Sequence, residues 1–238
     1  MEIVDLIIVI FLLFFAILGF KRGFFKSLVM FLGFIIVIVL SYMFKNYLGD
    51  FLVLNLPFIS FGNFMGGAIT LNIIMYQALA FIIVLAIFSL AYKIIVTITG
   101  IFEKILKFTI ILGIPSKILG LIVGIIEGYV IIYLVLFFLT QPFINLDILE
   151  NSKYTKTILN DTPVISSIAE NSLKVFNEVR EVIEKKDNPN IDLEISDLIL
   201  KEKVTSTDVM QRLVDKGKLK IDGIQNVIDK YKGDDSND

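Results

Sequence analysis

Between Asp50 and Lys93 the chain carries no charged residue, and three further stretches, Ile3 to Phe20, Ser27 to Phe44 and Ile118 to Leu139, are almost as free of charge. A hydrocarbon core about 30 Å thick is crossed by about 20 apolar residues in a helix, a length that several of these stretches reach. Hydrophobic residues make up 56% of the 238 and charged residues 19%, and the mean hydropathy is +0.81. An ordinary soluble domain does not have that balance. The sequence therefore predicts an all-α, polytopic membrane protein with four transmembrane helices and an α-helical soluble tail at its C-terminal end.

The predicted spans are residues 3–20, 27–44, 71–92 and 118–139, within a membrane domain of residues 1–140. Lys21 and Arg22 follow the first apolar run rather than precede it, so that run reads as a retained helix and not a cleaved signal. Residues 51–70 contain Asn55, Pro57, Gly62, Asn63, Gly66 and Gly67, which favour turns, and predict a loop that dips into the membrane surface. From Ile101 to Leu112 the cations Lys104 and Lys107 sit among apolar residues, the pattern of a short helix in the interface. Gly113 and Pro115 end it.

Orientation follows from the short basic loops. Lys21, Arg22 and Lys26 follow span one, and Lys93, Lys104, Lys107 and Lys117 lie between spans three and four. Such cations favour the cytoplasmic side, where Lys21 and Arg22 would anchor to anionic headgroups. Four spans then put both chain ends outside the cytoplasm; a crossing by residues 51–70 would reverse this for the tail.

Residues 1–140 hold 8 basic and 5 acidic side chains (+3), whereas residues 141–238 hold 14 and 19 (−5). In this acidic tail, Asp161-Thr162-Pro163 predicts a helix start. Ile165, Ile168, Leu173, Phe176, Val179 and Ile183 then form one apolar stripe. Residues 185–190 read as a linker. Residues 208–216 and 222–230 resemble each other at an offset of fourteen and predict a compact helical hairpin, with Thr205 and Asp208 as a capping box and Gly217 just past a helix end. The hairpin could dock a protein or peptide, and residues after Lys232 are expected to be disordered.

Gly120, Gly124 and Gly128 lie four apart in the last span, so one helix face is bare enough for another backbone to approach. That stripe could hold a second copy or be used within one subunit. Glu127 stands beside it, close to mid-membrane, where an acid needs a partner or a wet path. Lys93 is the candidate partner by depth.

Absences narrow the chemistry. The chain has no His and no Cys, so zinc, haem and iron–sulfur sites lose their usual ligands, and a Ser-His or Cys-His nucleophile pair cannot form. There is no GxxxxGK[ST] loop. Asp5 and Glu127, the acids within the spans, are expected far apart. No catalytic residue, cofactor or metal is predicted, and the acidic tail offers no clustered basic face for nucleic acid.

Three places carry a likeness: Asp5 at the head of span one, the turn Gly19-Phe20-Lys21-Arg22-Gly23-Phe24, and the run from Pro115 through Lys117, Leu119-Gly120, Gly124 and Gly128. Through them, residues 1 to about 140 resemble the colicin V production (CvpA) family of bacterial inner-membrane proteins. Position 127 departs from the family pattern, being acidic where relatives often carry a basic residue. The resemblance implies a non-enzymatic four-helix protein of the bacterial cytoplasmic membrane, accessory to toxin or bacteriocin production or export and to envelope maintenance. Its partners would be the lipid bilayer and, through helices or tail, a second copy or an export or envelope protein. Arg22, Gly23, Gly120, Gly124 and Gly128 carry over as motif positions only. The alternative reading is a small channel or transporter with Glu127 in a polar path.

Overall fold

A computed structural model describes the chain apart from residues 1–2, 61–67, 99–100, 141–148, 150–151, 161–162, 186–187 and 234–238, and apart from the side chains of residues 101–112 and 163–173. Among the described residues all regular structure is helical. The order is α1 (Ile3–Arg22), α2 (Phe24–Asn55), α3 (Leu71–Ile98), α4 (Ile101–Leu139), α5 (Lys153–Asn160), α6 (Pro163–Glu184), α7 (Ile191–Lys201), α8 (Thr207–Asp215) and α9 (Ile224–Tyr231). Four helical segments are long and apolar enough to cross a membrane: Ile3–Arg22, Phe24–Asn55, Leu71–Ile98 and Gly113–Leu139. The last begins where α4 breaks, at Gly113 with φ 52° and ψ −129°, two residues before Pro115. A left-handed glycine and a proline without an N–H interrupt the hydrogen-bond ladder there.

The chain divides into two compact units, the first comprising residues 1–42, 85–140 and 145–166. In it α1 runs antiparallel to α4, since Gly23 faces Gly120, Gly19 faces Gly124 and Phe15 faces Gly128. Large apolar side chains on the outer sides of both helices, Ile7, Leu13 and Ile17 on α1 and Ile118, Ile122 and Ile126 on α4, remain exposed, as lipid-facing surfaces are. Tyr92 of α3 donates its hydroxyl to the Val29 carbonyl at 3.1 Å, and its ring fills the space a side chain at position 33 would take beside Gly33. The short helix α5 packs on both α1 and α4.

The second unit comprises residues 43–84, 141–144 and 167–238. Its core joins the end of α2 (Leu52, Val53) and the start of α3 (Leu71, Ile73, Tyr76, Ala80) to Val179 of α6, Ile195 and Ile199 of α7, Met210 and Leu213 of α8, and Ile228 of α9. The expected division at Gln141 thus does not coincide with the units: what reads as a separate tail shares one core with the connection between spans two and three. In the first two turns of α3, Leu71, Ile73, Ile74 and Tyr76 are enclosed by protein, and its exposed large apolar side chains begin at Leu79 and continue to Ile98. The candidate span Leu71–Ile98 contains the predicted 71–92 and runs six residues beyond it.

Several local expectations are met with changes. Residues 51–55, expected in a loop, complete α2; Ile59 is pinned by Asn72, whose Oδ1 accepts from the Ile59 N–H at 2.7 Å while Nδ2 donates to its carbonyl at 3.0 Å. Gly62, Asn63, Gly66 and Gly67 lie outside the described residues, as do Asp161, Thr162 and the end of the chain beyond Gly233. The predicted interface helix is the first part of α4. Pro163 opens α6, and Phe176 and Val179 of its stripe are buried. The hairpin of α8 and α9 forms, but Ser206 caps α8, its Oγ accepting from the Val209 N–H at 3.3 Å, so the expected Thr205–Asp208 box is not used. Gly217, at φ 68°, closes α8 with bonds from its own N–H to Val214 O (2.8 Å) and from Lys218 N–H to Leu213 O (2.9 Å), a Schellman ending. Helices α5 and α7 were not expected.

Candidate functional site

The first unit concentrates its polar groups where α1 turns into α2. One residue, Gly23, separates the two helices and takes φ 75°, a conformation that costs an L side chain about 1–2 kcal/mol. Its N–H still reaches the Gly19 carbonyl at 2.9 Å, and the Ser27 hydroxyl donates to that same carbonyl at 3.3 Å. Across the turn, the Phe24 N–H, freed at a helix start, donates to Ser116 Oγ at 3.1 Å. The turn is thereby fixed to the beginning of the last span.

Alongside it runs the seam. A methyl on Gly19 would fall on the Gly120 carbonyl and 2.8 Å from the Gly124 Cα; one on Gly120 would lie 2.8 Å from the Gly23 Cα; one on Gly124 would meet the Phe15 carbonyl. The obstacles are backbone atoms, which cannot swing away. Gly120, Gly124 and Gly128 are therefore used within one chain, by α1.

Glu127 lies at the edge of this seam, and its Oε2 accepts from Arg22 Nη1 at 3.0 Å, with 9% of the Glu127 side chain and 21% of the Arg22 side chain exposed. The geometry follows from helix direction. Gly23 is level with Gly120, so Glu127 stands seven residues, about 10 Å, further along α4. Side chains on a helix lean toward its N-terminus, which for Arg22 means inward along α1. Arg22, expected as a headgroup anchor, instead reaches into the bundle, and Glu127 is paired with it rather than with Lys93, which is exposed on α3. Lys21 is exposed, as an anchor would be. The pair is a single Nη1–Oε2 contact that ties the end of α1 to α4.

Asp5 lies seventeen residues from Arg22, about 25 Å along α1, and is not brought to Glu127. Its Oδ1 accepts from Ser152 Oγ at 2.6 Å and from the Tyr154 N–H at 3.3 Å. Ser152 Oγ accepts in turn from the Thr155 N–H at 3.0 Å, capping α5. Among the described residues no group of three or more His, Cys, Asp or Glu side chains could hold a metal ion.

The second unit contains a constellation that sequence reasoning missed. Lys216 Nζ donates to the Leu54 carbonyl at 3.1 Å, and Lys218 Nζ donates to the carbonyls of Val53 at 2.9 Å and Leu56 at 2.7 Å. The Val53 and Leu54 carbonyls are orphan acceptors in the last turn of α2, where the helix dipole is negative, and Leu56 follows directly after it. Burial pushes the Lys218 ammonium below its ordinary pKa, and the Phe58 ring lies 5.2 Å beneath it. At the start of α3 the charges reverse: Asp192 Oδ1 accepts from the Thr70 N–H at 2.8 Å and from Thr70 Oγ1 at 2.7 Å, at the positive end of that helix. Thus α7 and the α8–α9 connection cap both helix ends of the α2–α3 pair with the appropriate sign.

A family model described as Colicin V production protein matches residues 4–163. The match covers α1 to α5 and ends on the first residue of α6. No curated protein and no solved structure matches the chain.

Proposed function

The chain belongs to the Colicin V production protein family, and from that premise we propose that it is a non-enzymatic accessory protein of toxin or bacteriocin production or export and of envelope maintenance. It resides in the bacterial cytoplasmic membrane, with its tail outside the cytoplasm. The observation that carries the tail's side is the double capping of α2 and α3. Lys216, Lys218 and Asp192 tie the tail to the connection between α2 and α3, which the chain reaches one predicted crossing after the basic turn Lys21-Arg22-Lys26. If the basic turn faces the cytoplasm, the capped ends and the tail share the other side. An accessory role is favoured over a channel because the intramembrane carboxylate is already engaged by Arg22.

Cysteine labelling decides the side, since the chain has no cysteine of its own. A single cysteine at Asp222 in intact cells should react with a membrane-impermeant maleimide, whereas one at Lys26 should react only after lysis. The reverse pattern would end this topology. The role is read by deletion and complementation: loss of secreted toxin with unchanged toxin transcript supports it, and unaltered secretion removes it. Ion flux through liposomes that vanishes in Glu127→Gln would favour the channel instead.

A further inference from the structure

We propose that the C-terminal end of α2, from Phe44 onward, passes through the membrane–water interface, with a row of aromatic side chains embedded among the phospholipid glycerol and headgroup groups. Helix α2 has 32 residues, about 48 Å, whereas the hydrocarbon core takes about 30 Å. The excess is at its C-terminal end, where Lys45, Asn46, Asp50 and Asn55 gather and rule out the hydrocarbon centre. Yet that end is not dressed for water either. Phe44, Tyr47 and Phe51 fall three and four residues apart, on one face, and are 47%, 78% and 60% exposed. The Phe44 and Tyr47 rings are 6.0 Å apart. Another face of the same turns supplies Leu52 and Val53 to the protein core. The aromatic row therefore belongs to neither the core nor the polar side of the helix.

Continuity identifies what covers it. Going back along α2 in the same steps, Leu40 and Ile36 are also exposed large apolar side chains, and they lie within the span. The row leaves hydrocarbon at about Phe44 and ends in aromatic rings, the residue type enriched where acyl chains give way to headgroups. A phospholipid interface fits this gradient from aliphatic to aromatic. On this reading, which rests on α2 being a membrane span, the tail and the α2 end form a unit seated on the bilayer.

The chain contains no tryptophan, so Tyr47→Trp and Phe51→Trp each give a single reporter in the full-length protein in phosphatidylcholine–phosphatidylglycerol nanodiscs. The expected result is blue-shifted emission, quenched at least twofold more by lipids brominated near the glycerol than by lipids brominated at mid-chain, with Leu40→Trp showing the opposite preference. Strong quenching by iodide without quenching by either lipid would overturn the proposal, because the face would then stand in water. Quenching by none of the three would overturn it as well, because protein would cover the face. Should a tryptophan variant fail to accumulate, a nitroxide on Tyr47→Cys reads the same depth: oxygen should reach it severalfold more readily than a water-soluble nickel chelate. Equal access to both, or access to neither, counts against the interface.

Discussion

The α1–α4 seam and the core that α7 to α9 share with the ends of α2 and α3 are both tightly packed, but they respond to opposite errors. Along the seam the contacts are backbone on backbone, and the atoms next to Gly19, Gly120 and Gly124 are carbonyl oxygens and Cα atoms. In lipid, moving apolar side chains from acyl chains to protein yields no hydrophobic gain, so closeness of approach has to supply the attraction. In the second core Ile195, Met210 and Leu213 are wholly enclosed, and each such side chain contributes roughly 1.5–3 kcal/mol by leaving water. An added methyl harms the first region; a removed one harms the second.

That contrast sets the largest expected effect. Gly124→Leu should cost about 3 kcal/mol or more by overpacking against the Phe15 carbonyl, seen as loss of folded protein in detergent-solubilised membranes. Gly113→Ala, with nothing within 4 Å among the described residues, should cost no more than the roughly 1–2 kcal/mol of its left-handed backbone. If the two behave alike, the seam is not close-packed. Next, Ile195→Ala should lower unfolding stability by about 2–5 kcal/mol, measured by denaturant titration with a tail-specific probe, while Leu13→Ala on the lipid face changes little. Third, Glu127→Gln or Arg22→Met alone should destabilise by about 1–3 kcal/mol, below the 3–5 of a fully enclosed pair because Arg22 retains some solvent access. The double variant Arg22→Met with Glu127→Met should cost less than either single one, and additive losses would show that the two do not interact. Fourth, Ser206→Ala should cost about 1 kcal/mol through loss of the α8 cap, whereas Thr205→Ala leaves capping untouched; equal effects would restore the predicted box.

The smallest effect depends on pH. The Lys174 ammonium, donating at 2.8 Å to Glu202, holds that carboxyl below its usual range. A carboxylate with a depressed folded pKa stabilises fully above the unfolded value, about 4.3, and loses that contribution as pH falls through the folded one. The pair lies at the surface, so the change should stay below about 1 kcal/mol. In Lys174→Met the acid limb of the tail's stability profile should flatten between about pH 5 and 3, and an unchanged limb would remove Glu202 from it.

How much of this was legible depended on whether the signal lay within one helix. Four apolar runs and glycines four apart are one-dimensional patterns, and the helices and the bare face both follow from them. Helix α7 left a readable mark, Ile191, Ile195, Leu198 and Ile199 with acids in its first turn, hidden only by the linker-like residues before it. The enclosure of Leu71, Ile73 and Tyr76 at the start of α3 left no mark, because an apolar run is the same whether lipid or protein surrounds it. The partner of Glu127 was beyond reach for a different reason: depth along the spans pointed to Lys93, whereas the answer turned on which way Arg22 leans once α1 lies against α4. Thr70 and Asp192 stand 122 positions apart, and nothing local marks either as the other's cap.

That separation has a consequence for biogenesis. A ribosome adding 5–20 residues per second takes roughly 6–24 s to go from Thr70 to Asp192, and for that interval Leu71, Ile73 and Tyr76 have the end of α2 beside them but lack the cover that α6 to α9 supply. The nascent hairpin would need a chaperone or insertion factor to shield it until the last hundred residues arrive, and a chain stopped early would leave a sticky stump in the membrane.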